Sequence, residues 1–346
     1  MKFKDFLSLL EYNGLMIFVD SENVYQSKIV NLLKLKKTNF KLLSKKNFQQ
    51  NKNNFFYSNI IIFYLIFFLN RKSKKILFVA QPAYAVIYAI LNNFILVPYD
   101  CHYGLPKISF VKLFLEKYVL KKIKFIIHRD LRFWKVYKSL LIKKKNILIP
   151  DHTTVDITGF NKNNESITAV VLGWVDEKEV QITGTVRKLL KLGVNIEFYI
   201  SEKCEREIKS FKSEIEENYP SQVNFNKYIS QEQTINNISK FHIGVCPHSK
   251  RNSLILSEYR KYCGSSRIIN YIEANLSILI SRSAFFQKFI ARSHNTHIIN
   301  IFDLENFKNK EELVSFISKN RRKNVIKKKI FQKDFLADYL DRFIFL

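Results

Sequence analysis

Residues Gly264 to Ser281 read GSSRIINYIEANLSILIS, and this stretch decides the fold of the second half of the chain. It opens with a glycine and two serines, residue types that favour a turn followed by a helix start. A helical pattern runs from Arg267 to Ala274, and an apolar β-type run from Leu276 to Ser281 follows it. A helix start offers unpaired N–H groups to an anion, and the planar fork of an arginine suits phosphate oxygens. The stretch predicts a phosphate-facing turn, helix and strand, with these candidate ligands: Gly264, Ser265, Ser266 and Arg267.

The rest of the C-terminal half repeats this alternation of strand and helix. Strands are predicted at Thr168 to Trp174, Val194 to Ile200, Val223 to Tyr228, Phe241 to Cys246, Leu276 to Ser281 and His297 to Phe302. Helices are predicted at Val180 to Leu192, Glu202 to Tyr219, Gln231 to Lys240, Arg267 to Ala274 and Ala284 to Arg292. Such alternation is typical of a parallel sheet covered on both faces.

The N-terminal half follows the same logic less regularly. Strands are predicted at Gly14 to Asp20, Lys75 to Ala80, Ile95 to Tyr99, Phe125 to His128 and Asn146 to Pro150. Helices are predicted at Ser21 to Leu35, Phe55 to Leu69, Ala83 to Asn93 and Phe110 to Leu120, while the polar stretch from Thr38 to Asn54 suggests a short strand and a loop. We therefore predict two Rossmann-like α/β domains, residues 1–155 and 166–325, facing each other across a cleft. Residues 326–346 form an amphipathic segment that we expect to pack back on the first domain.

Composition narrows the class of protein. A chain of 346 residues with 47% hydrophobic residues has enough apolar material for two cores, and four widely spaced cysteines without a CxxC pair suggest neither a zinc knuckle nor a dithiol redox motif. The formal charge of +27 attracts anionic ligands, nucleic acids or membranes at low salt. The longest apolar run, Ile60 to Leu69, is too short to span a bilayer. A cytoplasmic protein is expected, with peripheral contact at the inner face of an anionic plasma membrane as an open alternative.

Polar loops follow several predicted strands, where ligands of open parallel sheets bind. Asp100 and His102 emerge after one strand, with Tyr103 and Gly104 beside them. Gly173 and Trp174 close the first strand of the second half, and a glycine there lets the backbone approach a ligand closely. Lys250 and Arg251 follow another strand and supply two cations.

The segment from Arg267 to Ser281 resembles the basic-apolar-apolar-Glu-Tyr-x-x-x-Gly-x-Pro segment of GT-B glycosyltransferases, particularly the family 4-like enzymes of bacterial surface polysaccharides. Further pieces are similar to the family in the same order: Val171 to Trp174, Ile243 to Pro247, Tyr99 to His102 and Leu148 to His152. The resemblance covers most of the chain from Phe94 to Phe302. It implies a hexosyltransferase-type enzyme with a nucleotide-diphosphate sugar as co-substrate, a glycan or lipid-linked acceptor, and neither a required metal ion nor another cofactor.

The family's site residues are carried over position by position. Arg267 would steady the diphosphate, and His102 would contact the donor sugar. Asn270 stands where the family usually has a ribose-gripping glutamate, and Glu273 completes the predicted donor-binding set. Tyr262 replaces the earlier glutamate of retaining members, so inversion and retention both stay open. Asn275 replaces the turn glycine, which asparagine tolerates because it accepts a left-handed backbone.

The catalytic and acceptor-binding residues are assigned to the first domain. If the reaction inverts configuration, Asp100 or His102 is the candidate base. Tyr103, His128 and Arg129 are the candidate acceptor-binding residues. The run from His128 to Leu131 also spells the start of a kinase catalytic loop, but Lys135 occupies the position of the metal-binding asparagine and no glycine-rich loop accompanies it.

Two alternatives to an active transferase stay open. A basic nucleic-acid-binding protein would account for the charge and the aromatic content, although the aromatic residues fall mainly at core-facing positions. A catalytically inactive GT-B scaffold would account for Asn270 and Tyr262. We expect no nucleic-acid partner.

Overall fold

The computed structural model divides the chain into two compact units. The first comprises Met1–Asp151 together with Lys333–Leu346, and the second comprises His152–Gln332. The structure describes residues 15–19, 24–44, 54–56, 76–79, 94–98, 110–153, 167–173, 175, 182–227, 231–246, 261–321 and 326–345.

The first unit is built on a parallel sheet. Its described strands are β1 (Leu15–Val19), β2 (Phe40–Ser44), β3 (Asn54–Phe56), β4 (Ile76–Val79), β5 (Phe94–Val97), β6 (Phe125–His128) and β7 (Lys145–Leu148). They lie in the order β3-β2-β1-β4-β5-β6-β7, and each neighbouring pair is parallel. The described helices α1 (Val24–Leu35), α2 (Phe110–Lys122) and α3 (Arg132–Leu141) accompany the sheet. Every residue of β5 is buried, as expected for a strand covered on both faces.

The second unit has a sheet of the same kind. Its described strands are β8 (Thr168–Leu172), β9 (Asn195–Ile200), β10 (Val223–Lys227), β11 (Ile243–Cys246), β12 (Ser277–Ile280) and β13 (Ile298–Asn300). They lie in the order β10-β9-β8-β11-β12-β13 and pair in parallel throughout. The described helices are α4 (Ile182–Lys191), α5 (Glu202–Glu207), α6 (Lys209–Asn218), α7 (Gln231–Ile238), α8 (Ser266–Glu273), α9 (Phe285–Ser293) and α10 (Lys310–Asn320). The predicted pair of parallel-sheet α/β domains is confirmed.

The last helix, α11 (Lys333–Phe345), belongs to the first unit although it follows the second in sequence. Leu336 and Leu340 are fully buried in the core of the first unit together with Leu33 of α1. At the edge of this contact the Thr38 hydroxyl donates to Asp341 Oδ1 at 3.0 Å. The prediction that the C-terminal segment packs on the first domain is therefore confirmed from Lys333 onward, and it is wrong for residues 326–332. These belong to the second unit, where Phe331 packs against Phe289 and His294.

Two secondary-structure predictions differ from the structure, and one helix was not predicted. The helix predicted from Phe55 to Leu69 is wrong at its start, because β3 covers Asn54–Phe56, and residues 57–75 lie outside the described residues. The single helix predicted from Glu202 to Tyr219 is two helices, which meet where Ile208 leaves helical geometry at φ −109° and ψ 22°. Helix α3 was not predicted, although Asp130 marks its start by accepting from the Arg132 backbone N–H at 3.0 Å.

Candidate functional site

The second sheet reverses its strand order at β8. Strands β9 and β10 extend from one side of β8, and β11, β12 and β13 extend from the other. In open parallel sheets, ligands bind beyond the carboxyl ends of the strands at such a reversal. The residues that follow β8 and β11 therefore define the candidate site.

Gly173, directly after β8, lies next to Arg267 in the first turn of α8. Gly173 has φ +73°, a backbone conformation that favours glycine, and its N–H donates to the Tyr199 carbonyl at 2.8 Å. A β-carbon at Gly173 would lie 3.7 Å from Arg267 Nη2. The absence of a side chain therefore leaves the guanidinium directly beside the backbone turn that ends β8. Two candidates that are 94 residues apart in sequence are thereby brought together.

Tyr271, one turn after Arg267 on α8, connects the two strands that separate at this point. The ladder between β8 and β11 pairs only Ala169 with Ile243 and Val170 with Gly244. Beyond it, the Leu172 N–H donates to the Tyr271 hydroxyl at 3.2 Å. The hydroxyl lies 3.1 Å from the Val245 carbonyl and 3.3 Å from the Val170 carbonyl, either of which can accept its proton. Tyr271 therefore satisfies backbone groups where the strands part and fixes α8 above them.

Gly244 makes room for this tyrosine. A β-carbon at Gly244 would lie closer than 3.0 Å to three carbons of the Tyr271 ring. The ring is fully buried, and burial raises the pKa of its hydroxyl, so the group remains a neutral hydrogen-bonding link. Sequence analysis missed both residues. The available signal was a glycine inside an apolar strand, which often marks a close approach of another group.

Buried polar side chains connect the turn before α8 to helix α9 and to the end of β11. Gln287 of α9 donates through Nε2 to Cys263 Sγ at 3.3 Å, and its Oε1 lies 3.5 Å from Cys246 Sγ. Burial raises the pKa of the Cys246 thiol, although Arg267 and a hydrogen bond with Ser265 oppose the shift. These contacts link the end of β11 to the start of the turn.

Ser265 is the N-cap residue of α8, but its side chain makes no capping hydrogen bond. The predicted position of a serine at the helix N-terminus is therefore confirmed, but its hydroxyl does not cap the helix. The Ser265 side chain instead acts on the Cys246 thiol, where it opposes the rise in pKa that burial causes. Ser266 is the first helical residue, and Gly264 is half-buried in the preceding turn.

Asn270 and Glu273 lie further along α8. Asn270 Oδ1 is shielded from solvent and has no hydrogen-bond partner within the described part of the chain. Glu273 is buried. Asn275 ends the helix with φ +53°, and the N–H groups of Asn275 and Leu276 donate to the carbonyls of Ile272 and Tyr271. The expected left-handed asparagine is thus confirmed.

Cys204 of α5 anchors the backbone just after Gly173. Its Sγ accepts from the Val175 N–H and donates to the Val175 carbonyl, each at 2.8 Å. The thiol is fully buried, and the Ser201 hydroxyl caps its helix by accepting from the Cys204 N–H at 3.3 Å. This anchor was not apparent from the sequence, since an isolated cysteine gives no local signal.

The candidate acceptor residues of the first unit lie at the end of β6. His128 is buried, and desolvation lowers its pKa from 6.5 to about 4, so the imidazole is neutral near pH 7. Arg129 donates through Nε to Asp151 Oδ2 at 2.9 Å, and its Nη2 lies 2.9 Å from the same oxygen. The guanidinium predicted to hold an acceptor is therefore already engaged with a fully buried carboxylate.

Six of the predicted site residues lie outside the described residues. They are Asp100, His102, Tyr103, Trp174, Lys250 and Arg251. Within the described residues, no group of three His, Cys, Asp or Glu side chains could hold a metal ion. No helix in the same residues has both the length and the hydropathy needed to cross a bilayer.

The sequence matches no established protein-family profile, and no curated protein matches it. Solved structures do resemble the fold. Sucrose-phosphate synthase from Thermosynechococcus elongatus has a TM-score of 0.61 at 9% identity over 96% of this chain and 97% of its own. UDP-GlcNAc 2-epimerase from Methanocaldococcus jannaschii has a TM-score of 0.54 at 11% identity over 96% and 99%. WaaG, a glycosyltransferase involved in lipopolysaccharide biosynthesis, has a TM-score of 0.55 at 11% identity over 94% and 95%.

These similarities define the class of fold. The two units with their parallel sheets form the pair of Rossmann-like domains known as the GT-B fold. At identities of 9% to 11% the likeness concerns the fold alone. The activity has to be argued from the site.

Proposed function

We propose that this protein is a glycosyltransferase that moves a sugar from a nucleotide-diphosphate donor to a glycan or lipid-linked acceptor. The observation that carries the proposal is the position of Arg267 beside the left-handed turn at Gly173, at the reversal point of the second sheet. A sheet reversal, a bare backbone turn and a guanidinium together suit a diphosphate.

Each part of this arrangement has a distinct role in the proposed donor site. Gly173 lets the backbone approach the donor because no side chain intervenes. The first turn of α8 offers backbone N–H groups and the positive end of the helix dipole to phosphate oxygens. Arg267 adds a full charge and a fork that can bind two oxygens at once. Asn270, with its buried amide oxygen, is the candidate for a hydroxyl of the donor, and Glu273 supports it from within the helix.

The proposed reaction breaks the bond between the sugar's anomeric carbon and the diphosphate oxygen. The diphosphate leaves with the electron pair, and Arg267 and the helix start stabilise its growing charge, so no metal ion is invoked. An acceptor oxygen forms the new bond to the same carbon. In an inverting reaction, Asp100 or His102 would take the acceptor's proton. Lys250 and Arg251 remain proposed donor contacts, and Trp174 and Tyr103 remain proposed site residues.

Similar structures support the choice of ligand more than the choice of reaction. One of them is described as a complex with UDP-GlcNAc and UDP, and it is an epimerase, whereas two others are named as a synthase and a glycosyltransferase. The likeness of Arg267 to Ser281 to a glycosyltransferase segment favours transfer over epimerisation. An experiment has to separate the two reactions.

Nucleotide binding is tested first, by titrating the protein with uridine and guanosine diphosphates in a calorimeter. A charge-assisted, bidentate phosphate contact contributes about 1.5–3 kcal/mol, so Arg267→Ala should weaken binding about 10- to 100-fold. Arg267→Lys keeps the positive charge but loses the two-pronged guanidinium, so its affinity for the nucleotide should lie between those of the parent and of Arg267→Ala. Arg292→Ala is the matched control, because Arg292 is an exposed arginine in the last turn of α9.

Turnover is tested next, by screening nucleotide sugars for released nucleotide with and without glycan acceptors. Acceptor-dependent release and a glycosylated product are expected, and the anomer of the product then distinguishes inversion from retention. Conversion of the donor into an isomeric nucleotide sugar without an acceptor would indicate an epimerase instead. Binding without turnover would indicate the inactive scaffold. Unchanged nucleotide affinity of a folded Arg267→Ala variant would overturn the proposed site.

A further inference from the structure

The outer side of α2 in the first unit combines exposed apolar side chains with lysines. Phe110, Val111 and Phe114 are 82%, 60% and 59% exposed, and they lie within the first five residues of the helix. Seven residues of α2 are exposed to solvent, and Lys112 lies on a different side of the helix from Phe110 and Phe114. We define the α2 face by the other six: Phe110, Val111, Phe114, Lys117, Lys121 and Lys122.

The spacing of these residues places them along one side of the helix. Phe110, Phe114, Lys117 and Lys121 recur at intervals of three and four residues, which is the spacing of one helical stripe. The opposite side faces the core, where Glu116, Val119 and Leu120 are buried. The α2 face is therefore apolar at its N-terminal end and cationic toward its C-terminal end.

Both acidic residues of the segment from Phe110 to Lys145 are turned away from solvent. Glu116 is fully buried and accepts a hydrogen bond from the Tyr137 hydroxyl, and Asp130 is buried in an ion pair with Arg132 at 2.7 Å. Lys117 and Lys121 therefore have no exposed carboxylate from this segment to neutralise them. Lys121 and Lys122 lie in the last turn of α2, where a positive charge interacts favourably with the negative end of the helix dipole. This interaction does not explain why Lys117 and the phenylalanines are exposed.

The corner after α3 extends the positive surface. Lys144 Nζ donates to the Lys121 carbonyl at 3.0 Å and to the Ile123 carbonyl at 2.5 Å. These bonds hold the corner from Ile142 to Lys145 against the end of α2, and Ile142 is 61% exposed while Lys143 and Lys145 are exposed. Ile142, a further exposed apolar residue, thus lies beside the cationic end of the face.

We propose that the α2 face docks on an anionic lipid bilayer. Exposed phenylalanines can enter the boundary between headgroups and acyl chains, and the lysines can remain beside anionic headgroups. Single-stranded nucleic acid also attracts lysines, but it needs a groove that follows the backbone and aromatic rings on which bases stack. The outer side of a single helix is convex, and Val111 cannot stack on a base. The observations therefore favour lipid, independently of the proposed donor site.

Vesicle sedimentation with the full chain tests this proposal without any nucleotide. The protein should sediment with vesicles of phosphatidylcholine and phosphatidylglycerol, not with vesicles of phosphatidylcholine alone, and binding should weaken as salt rises. The double variant Phe110→Ser/Phe114→Ser and the triple variant Lys117→Glu/Lys121→Glu/Lys122→Glu should each lower the partition coefficient at least about tenfold.

Matched variants in the second unit control for exposure and charge. Phe302→Ser removes a phenylalanine that is 48% exposed, and Lys191→Glu/Lys203→Glu/Lys209→Glu reverses three exposed lysines of α4, α5 and α6. Both should bind vesicles about as well as the parent, and circular dichroism should show that all variants are folded. Equal binding of the α2 variants and the parent, or equal binding to neutral vesicles, would overturn the proposal. Loss of single-stranded RNA binding by the α2 variants, without vesicle binding by the parent, would also overturn it and assign the face to nucleic acid.

Because vesicle binding and nucleotide binding are separate measurements, failure of one leaves the other intact. A parent that binds diphosphate but not vesicles would contradict only the docking surface. A parent that binds anionic vesicles but no diphosphate would contradict only the proposed function.

Discussion

Gly244 and Tyr271 fit together at the point where β8 and β11 separate. The absence of a side chain at Gly244 gives the tyrosine ring its place, and the tyrosine hydroxyl then bonds backbone groups of both strands. Tyr271 lies one turn after Arg267 on α8. The pair therefore determines how the helix that carries the proposed phosphate ligand sits on the sheet.

Replacing Gly244 with alanine should destabilise the protein. The new methyl group would overlap the buried Tyr271 ring, and overpacking of a core costs about 1–3 kcal/mol. Urea denaturation monitored by circular dichroism should show a lower free energy of unfolding. The affinity for nucleoside diphosphate should fall as well, because α8 has to move to relieve the overlap.

Gly184→Ala is the matched control for this prediction. Gly184 lies in α4, and a β-carbon there would meet no atom within 4 Å. Alanine in a helix is more favourable than glycine by up to about 1 kcal/mol, so this variant should be neutral or slightly stabilised. A Gly244→Ala variant as stable as Gly184→Ala would contradict the described packing.

Tyr271→Phe should separate the hydroxyl's role from that of the ring. Phenylalanine fills the space beside Gly244 but leaves the Leu172 N–H without its acceptor, at a cost of about 1–3 kcal/mol. We expect weaker diphosphate binding with Arg267 still present, and a higher KM for the donor with a smaller change in kcat. Tyr199→Phe, in the neighbouring strand β9, serves as the control. Equal donor affinity in the two variants would show that the hydroxyl does not position α8.

Much of this architecture could be predicted from the sequence, because strand and helix periodicities are local. Buried strands such as β6 and β12 are short apolar runs, and the left-handed backbone at Asn275 follows from the rarity of residues that accept it. The approach of Arg267 to a strand end was also predictable, since the carboxyl ends of parallel strands meet at one edge.

What could not be predicted depends on contacts between distant residues. The Asn54–Phe56 strand follows a polar, lysine-rich stretch with little β-type pattern, so tertiary pairing with β2 decides its conformation. Arg129 looked available for an acceptor because its partner, Asp151, lies on the far side of α3 and β7 in sequence. Likewise, no local sequence pattern predicts that the Cys204 thiol forms a hydrogen bond with the Val175 backbone.

Asp151→Asn should destabilise the first unit strongly. The substitution removes the carboxylate that is hydrogen-bonded to the largely buried Arg129 guanidinium, and breaking a buried ion pair from one side costs about 3–5 kcal/mol. Arg187→Ala is the control, because Arg187 and Glu214 form a two-point ion pair at 2.7 and 2.6 Å on the surface. Loss of that exposed pair should cost much less, because solvent screens its charges. If Asp151→Asn and Arg187→Ala lowered the free energy of unfolding by similar amounts in chemical denaturation, the structural role of Arg129 would be contradicted.

His128 should make the protein less stable in mild acid. Burial lowers its pKa from 6.5 to about 4, against the opposing effect of the Asp130 carboxylate. The unfolded chain keeps a pKa near the ordinary value of about 6.5, so between these two values it binds a proton that the folded protein does not bind. The free energy of unfolding should therefore fall as pH drops through this window, by on the order of 3 kcal/mol once pH is below about 4. Denaturation curves of the parent and of His128→Gln from pH 7 to pH 4 measure this contribution, because glutamine does not titrate. The variant should lose less stability over that range, and parallel curves for the two proteins would show that His128 is not the group responsible.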